Sequence, residues 1–202
     1  MSPSVRLGKK FEDALSLALE VHGGDTRKGK DTPYVSHLLG VASLVLMDGG
    51  SEDEAIAGLL HDTLEDHPEE VTKEQLAERF GGTVSEIVVS CTDTEPGYSG
   101  GPKAPWRERK ERYVAHLAHA SVGARRVALA DKLYNARDLL ADVRREGAKT
   151  WNRFTAGPAD QIRYLREVQK SMHVAGKTGV LMEEFERVLD DLAEFAEDGA
   201  RR

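Results

Sequence analysis

Apolar residues recur along this chain at spacings of three and four, the period of a helix rather than the alternation of a strand. Phe11, Leu15, Ala18, Leu19 and His22 share one face of a predicted opening helix, which Gly23-Gly24 ends. A second helix is predicted to carry Pro33 in its first turn, where a missing N–H costs nothing, and to run to Asp48-Gly49-Gly50. Ser51 with Glu54 three residues later is a capping-box pattern. It starts a third helix that holds Ala55-Ile56-Ala57-Gly58-Leu59-Leu60, carries His61-Asp62 near its end and is stopped by Pro68. Thr72 and Gln75 repeat the pattern for a helix ending at Phe80-Gly81-Gly82, and Val84, Ile87, Val88 and Cys91 mark the next. Residues 95–105 contain three Pro and three Gly, too much punctuation for regular structure, and are expected to form a loop able to act as a lid. Helical periodicity then returns over about 106–120, 122–140, 160–175 and 181–197. The pattern predicts an all-α fold.

Composition narrows the picture. With 202 residues, 40% of them hydrophobic, the chain is long enough for a real core, and a single domain over residues 1–202 is expected. One cysteine excludes an internal disulfide framework and predicts a reducing, cytoplasmic setting. No apolar stretch approaches 18 residues and the amino terminus lacks a signal-peptide core, so no membrane role is expected. A net charge of −7 argues against a nucleic-acid surface but leaves room for an anionic small molecule at a local cluster of cations. Arg27-Lys28-Gly29-Lys30 is one such cluster, whereas residues 107–112 alternate in sign and read as a solvated helix face.

The candidate chemistry lies in His61-Asp62-Thr63-Leu64-Glu65-Asp66, preceded by His37 and followed much later by Ala130-Asp131-Lys132. Adjacent His and Asp cannot both face a regular helix core, and their placement after an apolar run suggests that both address one ion. His37 and Asp131 complete four ligands of a type that suits Mn²⁺, Fe²⁺ or Zn²⁺ and leaves room for water and substrate. Such an ion lowers the pKa of a bound water from about 15.7 toward about 7 and polarises a phosphoryl oxygen, which makes phosphate esters the natural substrates. Glu65 and Asp66 stand four residues after His61 and Asp62, close enough in a helix to orient that water and take its proton. Each ligand candidate alone has a plainer reading: His37 as a packed histidine, Asp131 as the partner of a nearby lysine. His22, His67, His116, His119 and His173 are assigned to packing or surface, and Gly176-Lys177-Thr178 is set aside as a phosphate-loop tail because Ser171 stands where the motif needs glycine.

In order, Arg27-Lys28, Pro33-Tyr34 to His37, Leu59 to Asp66, Phe80-Gly81 and Leu129 to Leu139 resemble the HD-domain metal-dependent phosphohydrolases of the RelA/SpoT alarmone-hydrolase type, in their stand-alone small branch. The resemblance covers residues 11–140 best, with carboxyl-terminal helices over 158–198 matching loosely. It implies an all-α HD-domain bundle of roughly eight to ten helices with one metal in the core cleft. It further implies that His37, His61, Asp62 and Asp131 bind one Mn²⁺, with Zn²⁺, Fe²⁺ or Co²⁺ as other candidates, and that Glu65 and Asp66 activate the water. Arg27, Lys28 and Asn135 would hold the nucleotide and its phosphates. Tyr164 would lie near the nucleotide, and Arg107 and Arg109 occupy a stretch that in relatives faces phosphate. Leu38, in place of a common Pro, and the Gly/Pro-rich segment 95–105 depart from the family pattern and leave the choice of substrate open.

Three readings follow. The first is a hydrolase that removes the 3′-diphosphate of guanosine alarmones, ppGpp or pppGpp, as pyrophosphate. The second keeps the metal site but turns it on another nucleotide, such as ppApp, the 2′-phosphate of NADPH or a nucleoside monophosphate. The third is a partner protein whose site is vestigial. Oligomeric state is open in all three.

Overall fold

The computed structural model describes residues 5–94, 98, 100–174 and 179–200. Within the loop 95–105, positions 95–97 and 99 lie outside the described residues, as do Gly176-Lys177-Thr178; the side chain of His173 is likewise not described.

The described chain is all-helical, in the order α1 (Lys9–His22), α2 (Val35–Met47), α3 (Glu52–Leu60), α4 (Thr63–Asp66), α5 (Lys73–Phe80), α6 (Gly82–Cys91), α7 (Trp106–Leu117), α8 (Val122–Glu146), a 3₁₀ segment (Gly147–Arg153), α9 (Pro158–Val174) and α10 (Val180–Ala200). Both capping boxes form: Ser51 Oγ accepts from Glu54 N while Glu54 accepts from Ser51 N, and Thr72 and Gln75 do the same. Pro33 is not in the first turn of α2. That helix starts at Val35, and Pro33 instead pairs with Thr26 in an isolated β-bridge. The turn that follows is closed by bonds from Ser36 N to Pro33 O and from His37 N to Tyr34 O.

Helix α3 is the centre of the packing. Every residue from Ala55 to Leu60 is buried, and α1, α2, α6 and α8 all lie against it. A helix that is apolar all round belongs in the interior, and Ile56, Leu59 and Leu60 each contribute roughly 1.5–3 kcal/mol by leaving water. Gly58 permits the close approach of α2, because a Cβ there would stand 3.2 Å from Ala42 Cα. One connected cluster of buried side chains extends from Ala14 in α1 to Leu192 in α10.

Two expectations need correction. Helix α3 stops at Leu60, so His61 and Asp62 sit in a break before α4 instead of near the end of a continuous helix. The side chains at the break compete for carbonyls: His61 Nδ1 donates to Gly58 O at 2.9 Å, and Thr63 Oγ1 donates to Leu60 O at 2.7 Å. Helix α8 runs past position 140 to Glu146, where apolar periodicity fades but Arg137 and Arg144 tie it to Glu184 and Asp191 of α10.

Gly40 of α2 lies under the ring of Tyr134 of α8, so that a Cβ at this position would come within 2.1 Å of it. Gly40→Ala is expected to lower stability by about 1–3 kcal/mol through overpacking, and Gly24→Ala, with open space around it, to change stability little. Denaturant titration of the two variants checks this; equal midpoints would show that Tyr134 yields at no cost.

Candidate metal centre

Three parts of the fold deliver four side chains to one buried point. His37 comes from the first turn of α2, His61 and Asp62 from the break between α3 and α4, and Asp131 from the middle of α8. The two imidazoles face each other with their Nε2 atoms 3.3 Å apart. Asp62 Oδ2 stands 2.9 Å from His61 Nε2 and 3.6 Å from His37 Nε2, and Asp131 Oδ1 lies 3.4 Å from His37 Nε2 and 3.7 Å from His61 Nε2. Donor atoms about 2.0–2.2 Å from a shared ion are separated by about 2.8–3.6 Å along octahedral or tetrahedral edges, so this spacing is close to what a divalent cation needs.

The hydrogen bonding points the same way. His61 gives its Nδ1 proton to the Gly58 carbonyl, which leaves Nε2 as a bare lone pair turned toward His37 and two carboxylates. Tyr34 donates to Asp62 Oδ2 at 2.6 Å, and Asn135 Nδ2 and Lys132 Nζ donate to the two oxygens of Asp131. Tyr34 and Asn135 thus bond the same carboxylate oxygens that face the two imidazoles, while Lys132 holds the far oxygen of Asp131, and together they fix both carboxylates toward a common centre.

Electrostatics reinforces the geometry. Burial would raise Asp62, but His61 and His37 overcome it and hold the carboxyl well below its usual range. Burial likewise opposes the charged form of Asp131, and Lys132 with the two histidines keeps it well below. For His61, burial disfavours the charged imidazole, yet Asp62 and Asp131 together outweigh burial and hold the group well above its ordinary value. A proton therefore occupies this electron-rich spot when no metal does. The Tyr34 hydroxyl is raised by burial and then by Asp62, so it stays a donor.

Glu65 and Asp66 lie one turn beyond the break, and helical geometry persists to them: Asp66 N donates to Asp62 O at 2.9 Å. Asp66 is pushed up to about 6 by burial and by the neighbouring Asp62 and Glu65. Glu65 is held from three sides, by Lys103 Nζ at 2.9 Å, by Asp93 N at 3.4 Å and by Arg109 Nη1 at 3.9 Å.

A cleft of about 350 Å³ adjoins the centre between α7, α8, α9 and the segment before α2, lined in part by Arg27, Lys28, Lys30, Lys110, Lys132 and Arg153. Arg27 donates to Asn135 Oδ1 at 2.5 Å, so Asn135 connects the cleft to Asp131. Lys28 is exposed, with its ammonium over Phe154. Tyr164 also lines the cleft; it is buried beside Trp106 and Lys110, and its hydroxyl has no hydrogen-bond partner. Arg107 is not brought to the cleft. It is exposed and pairs with Asp160, because α7 begins at Trp106 and turns positions 106, 109, 110 and 113 inward. The alternating-charge stretch is therefore only half a solvated face: Arg109 and Lys110 both bond Asp93 and are largely buried.

Sequence reasoning did not single out Tyr34, Lys103, Lys110, Lys132 or Arg153. Charge period alone hid Lys110, and Arg153 falls in a segment with no helical pattern. His22 and His67, assigned to packing, meet across Asp25, whose Oδ2 lies 2.9 Å from His22 Nδ1 and 2.8 Å from His67 Nε2; His22 in turn stacks on Tyr34.

Residues 14–162 match the HD domain family. A Xenopus tropicalis protein named guanosine-3′,5′-bis(diphosphate) 3′-pyrophosphohydrolase MESH1 is 42% identical over 130 residues, which cover 63% of this chain and 68% of that one. The human protein of the same name is 38% identical over 130 residues, with 63% and 68% covered. A Haemophilus influenzae guanosine-3′,5′-bis(diphosphate) 3′-pyrophosphohydrolase is 34% identical over 142 residues, 66% of this chain but 20% of that longer one. Among solved structures, a metazoan orthologue of SpoT, described as hydrolysing ppGpp and acting in starvation responses, superposes with a TM-score of 0.72 and 25% identity over 92% of this chain and 97% of that one.

Because a proton and a metal compete for His61 Nε2, whose affinity for the proton is held above the ordinary imidazole range, metal uptake is expected to expel a proton, and apparent affinity is expected to rise with pH from that range upward. Calorimetric titration in two buffers of different ionisation enthalpy measures the released proton. Identical heats in both buffers would contradict the protonated resting site.

Proposed function

The chain belongs to the HD domain family, and on that premise we propose that it is a metal-dependent hydrolase that removes the 3′-diphosphate of a guanosine alarmone, converting ppGpp and water to GDP and pyrophosphate. The observation that carries this reading is the junction of two structures: a buried set of two histidines and two aspartates, and directly beside it a cleft rich in cations within a chain of net charge −7. His37, His61, Asp62 and Asp131 are the proposed ligands, and Mn²⁺ is the proposed ion because the family resemblance implies it; the mixed imidazole and carboxylate set also suits Fe²⁺ or Zn²⁺. When bound, the ion supplies an acidified water and charge stabilisation at phosphorus.

The remaining steps belong to side chains of this protein. Glu65 and Asp66 orient the attacking water, and one of them takes its proton. The water oxygen bonds to the phosphorus on the ribose 3′ oxygen, the bond between that phosphorus and the 3′ oxygen breaks, and pyrophosphate departs while the 3′ oxygen receives a proton. Arg27, Lys28, Lys30 and Arg153 line the cleft and neutralise the polyphosphate. Asn135 positions Asp131 and carries a hydrogen bond from Arg27, so substrate and ligand geometry are linked through one amide. Tyr164 and Trp106 offer aromatic surface for the base. A complete donor set with both acids in place argues against a partner protein with a vestigial site.

Purified protein supplied with Mn²⁺ is expected to release pyrophosphate, and no orthophosphate, from ppGpp. Asp62→Ala should abolish release, whereas Glu65→Gln should keep the metal and slow turnover by roughly 10²–10⁴. Turnover of ppApp or NADPH with none of ppGpp would retain the chemistry and reassign the substrate.

A further inference from the structure

We propose that Lys103 is a positioning residue of this active site, a cation delivered by the loop to hold Glu65 and Asp66 in the geometry that water activation requires. The inference rests on the hydrolase reading above and deepens it. Lys103 Nζ lies 2.9 Å from Glu65 Oε1 and 3.4 Å from Asp66 Oδ1, so one ammonium joins both acids. Its side chain is 27% exposed, which places the contact at the mouth of the site rather than in free solvent, where such a pair would be worth little. The backbone next to it is anchored: Arg109 Nε donates to Ala104 O at 3.1 Å, and Arg109 itself is fixed by the buried Asp93. The loop thus reaches the acids from a fixed post on α7.

Physical need matches the placement. Asp62, Glu65 and Asp66 bring three carboxylates into one turn of chain, and only Asp62 belongs to the ligand set. Among the described residues no other cation joins Glu65 to Asp66: Arg109 and the Asp93 amide reach Glu65 alone. A base displaced by about 1 Å loses up to about 10² in rate, so a cation that fixes both carboxylates acts on turnover more than on substrate affinity. Lys103 does not touch the four metal donors, and its loss leaves them in place.

The experiment compares wild type with Lys103→Ala, Lys103→Arg and Lys103→Cys. Lys103→Ala is expected to lower kcat on ppGpp by about 10- to 100-fold with KM changed less than about threefold and with metal stoichiometry intact. Lys103→Arg should retain most activity. Lys103→Cys should be revived by 2-bromoethylamine, which rebuilds a lysine-like ammonium, while wild type, whose one thiol is the half-buried Cys91, should be unchanged by the same treatment. Hydrogen exchange across residues 100–105, read on the metal-loaded proteins without substrate, should quicken alike in Lys103→Ala and Glu65→Gln and stay slow in Lys103→Arg. Unchanged exchange in Lys103→Ala overturns the contact, and faster exchange with unchanged kcat overturns the positioning role. A wild-type protein silent on ppGpp overturns the substrate reading alone, and the exchange measurement then decides the contact by itself.

Discussion

Two imidazole nitrogens and two carboxylates converge in the interior of this protein, and the surrounding structure is arranged to make that tolerable. An isolated charge in such a place would cost far more than the few kcal/mol by which a domain is stable, so the cluster requires a cation, metal or proton, at its centre. The distances among the donors are set by how α2, α3 and α8 pack, since each brings part of the set. Gly58 shows how closely packing and chemistry are joined. Its missing Cβ lets α2 lie against α3, and its carbonyl receives the His61 proton that turns Nε2 inward.

Charge alternates outward from this centre. Asp131 is answered by Lys132 and Asn135, Asn135 by Arg27, and Arg27 with Lys30 by Asp138. Asp138 is accordingly held below its usual range: burial would raise it, but Lys30 and Arg27 outweigh that. The cations that line the cleft are therefore already oriented by protein carboxylates before any phosphate arrives, which lowers the ordering cost of binding one. An acidic chain can in this way present a basic cleft, and net charge is a poor guide to a site built on local arrangement.

The helices were legible because their signals are local: capping boxes, glycine stops and a 3.6-residue apolar period mark α1 and α5 with ends close to those observed, the start of α3 and the presence of α6. The convergence of the four donors was legible for a different reason: each alone has a plainer use, but His61-Asp62 after an apolar run, with His37 before and Asp131 after, forms a combination that suggests one ion. Less visible was everything that depends on which face of a helix meets which neighbour. Residues 107–112 alternate in sign, and sequence spacing could not say that Arg109 and Lys110 turn toward Asp93 while Arg107 turns to solvent and Asp160. Lys103 sits in a Gly/Pro-rich segment where no period exists, so its meeting with Glu65 and Asp66, some 37 residues away in sequence, had no local sign.

The break after Leu60 shows why the site nevertheless begins in local sequence. A continuous helix would splay His61 and Asp62 by about 100°, and only one could face the interior. Here His61 and Thr63 each donate a side-chain hydrogen to a carbonyl of the preceding turn, Gly58 and Leu60, and α3 ends. Thr63 is a short side chain that competes with the backbone for its own acceptors, and the His61 ring bonds a carbonyl three residues back, so the effect arises from neighbours along the chain and not from distant packing. The chain then resumes a helical turn through Asp66, which sets Glu65 and Asp66 one turn beyond His61 and Asp62. Six residues thus supply two of the four converging donors, the break between α3 and α4, and a pair of acids one turn further on.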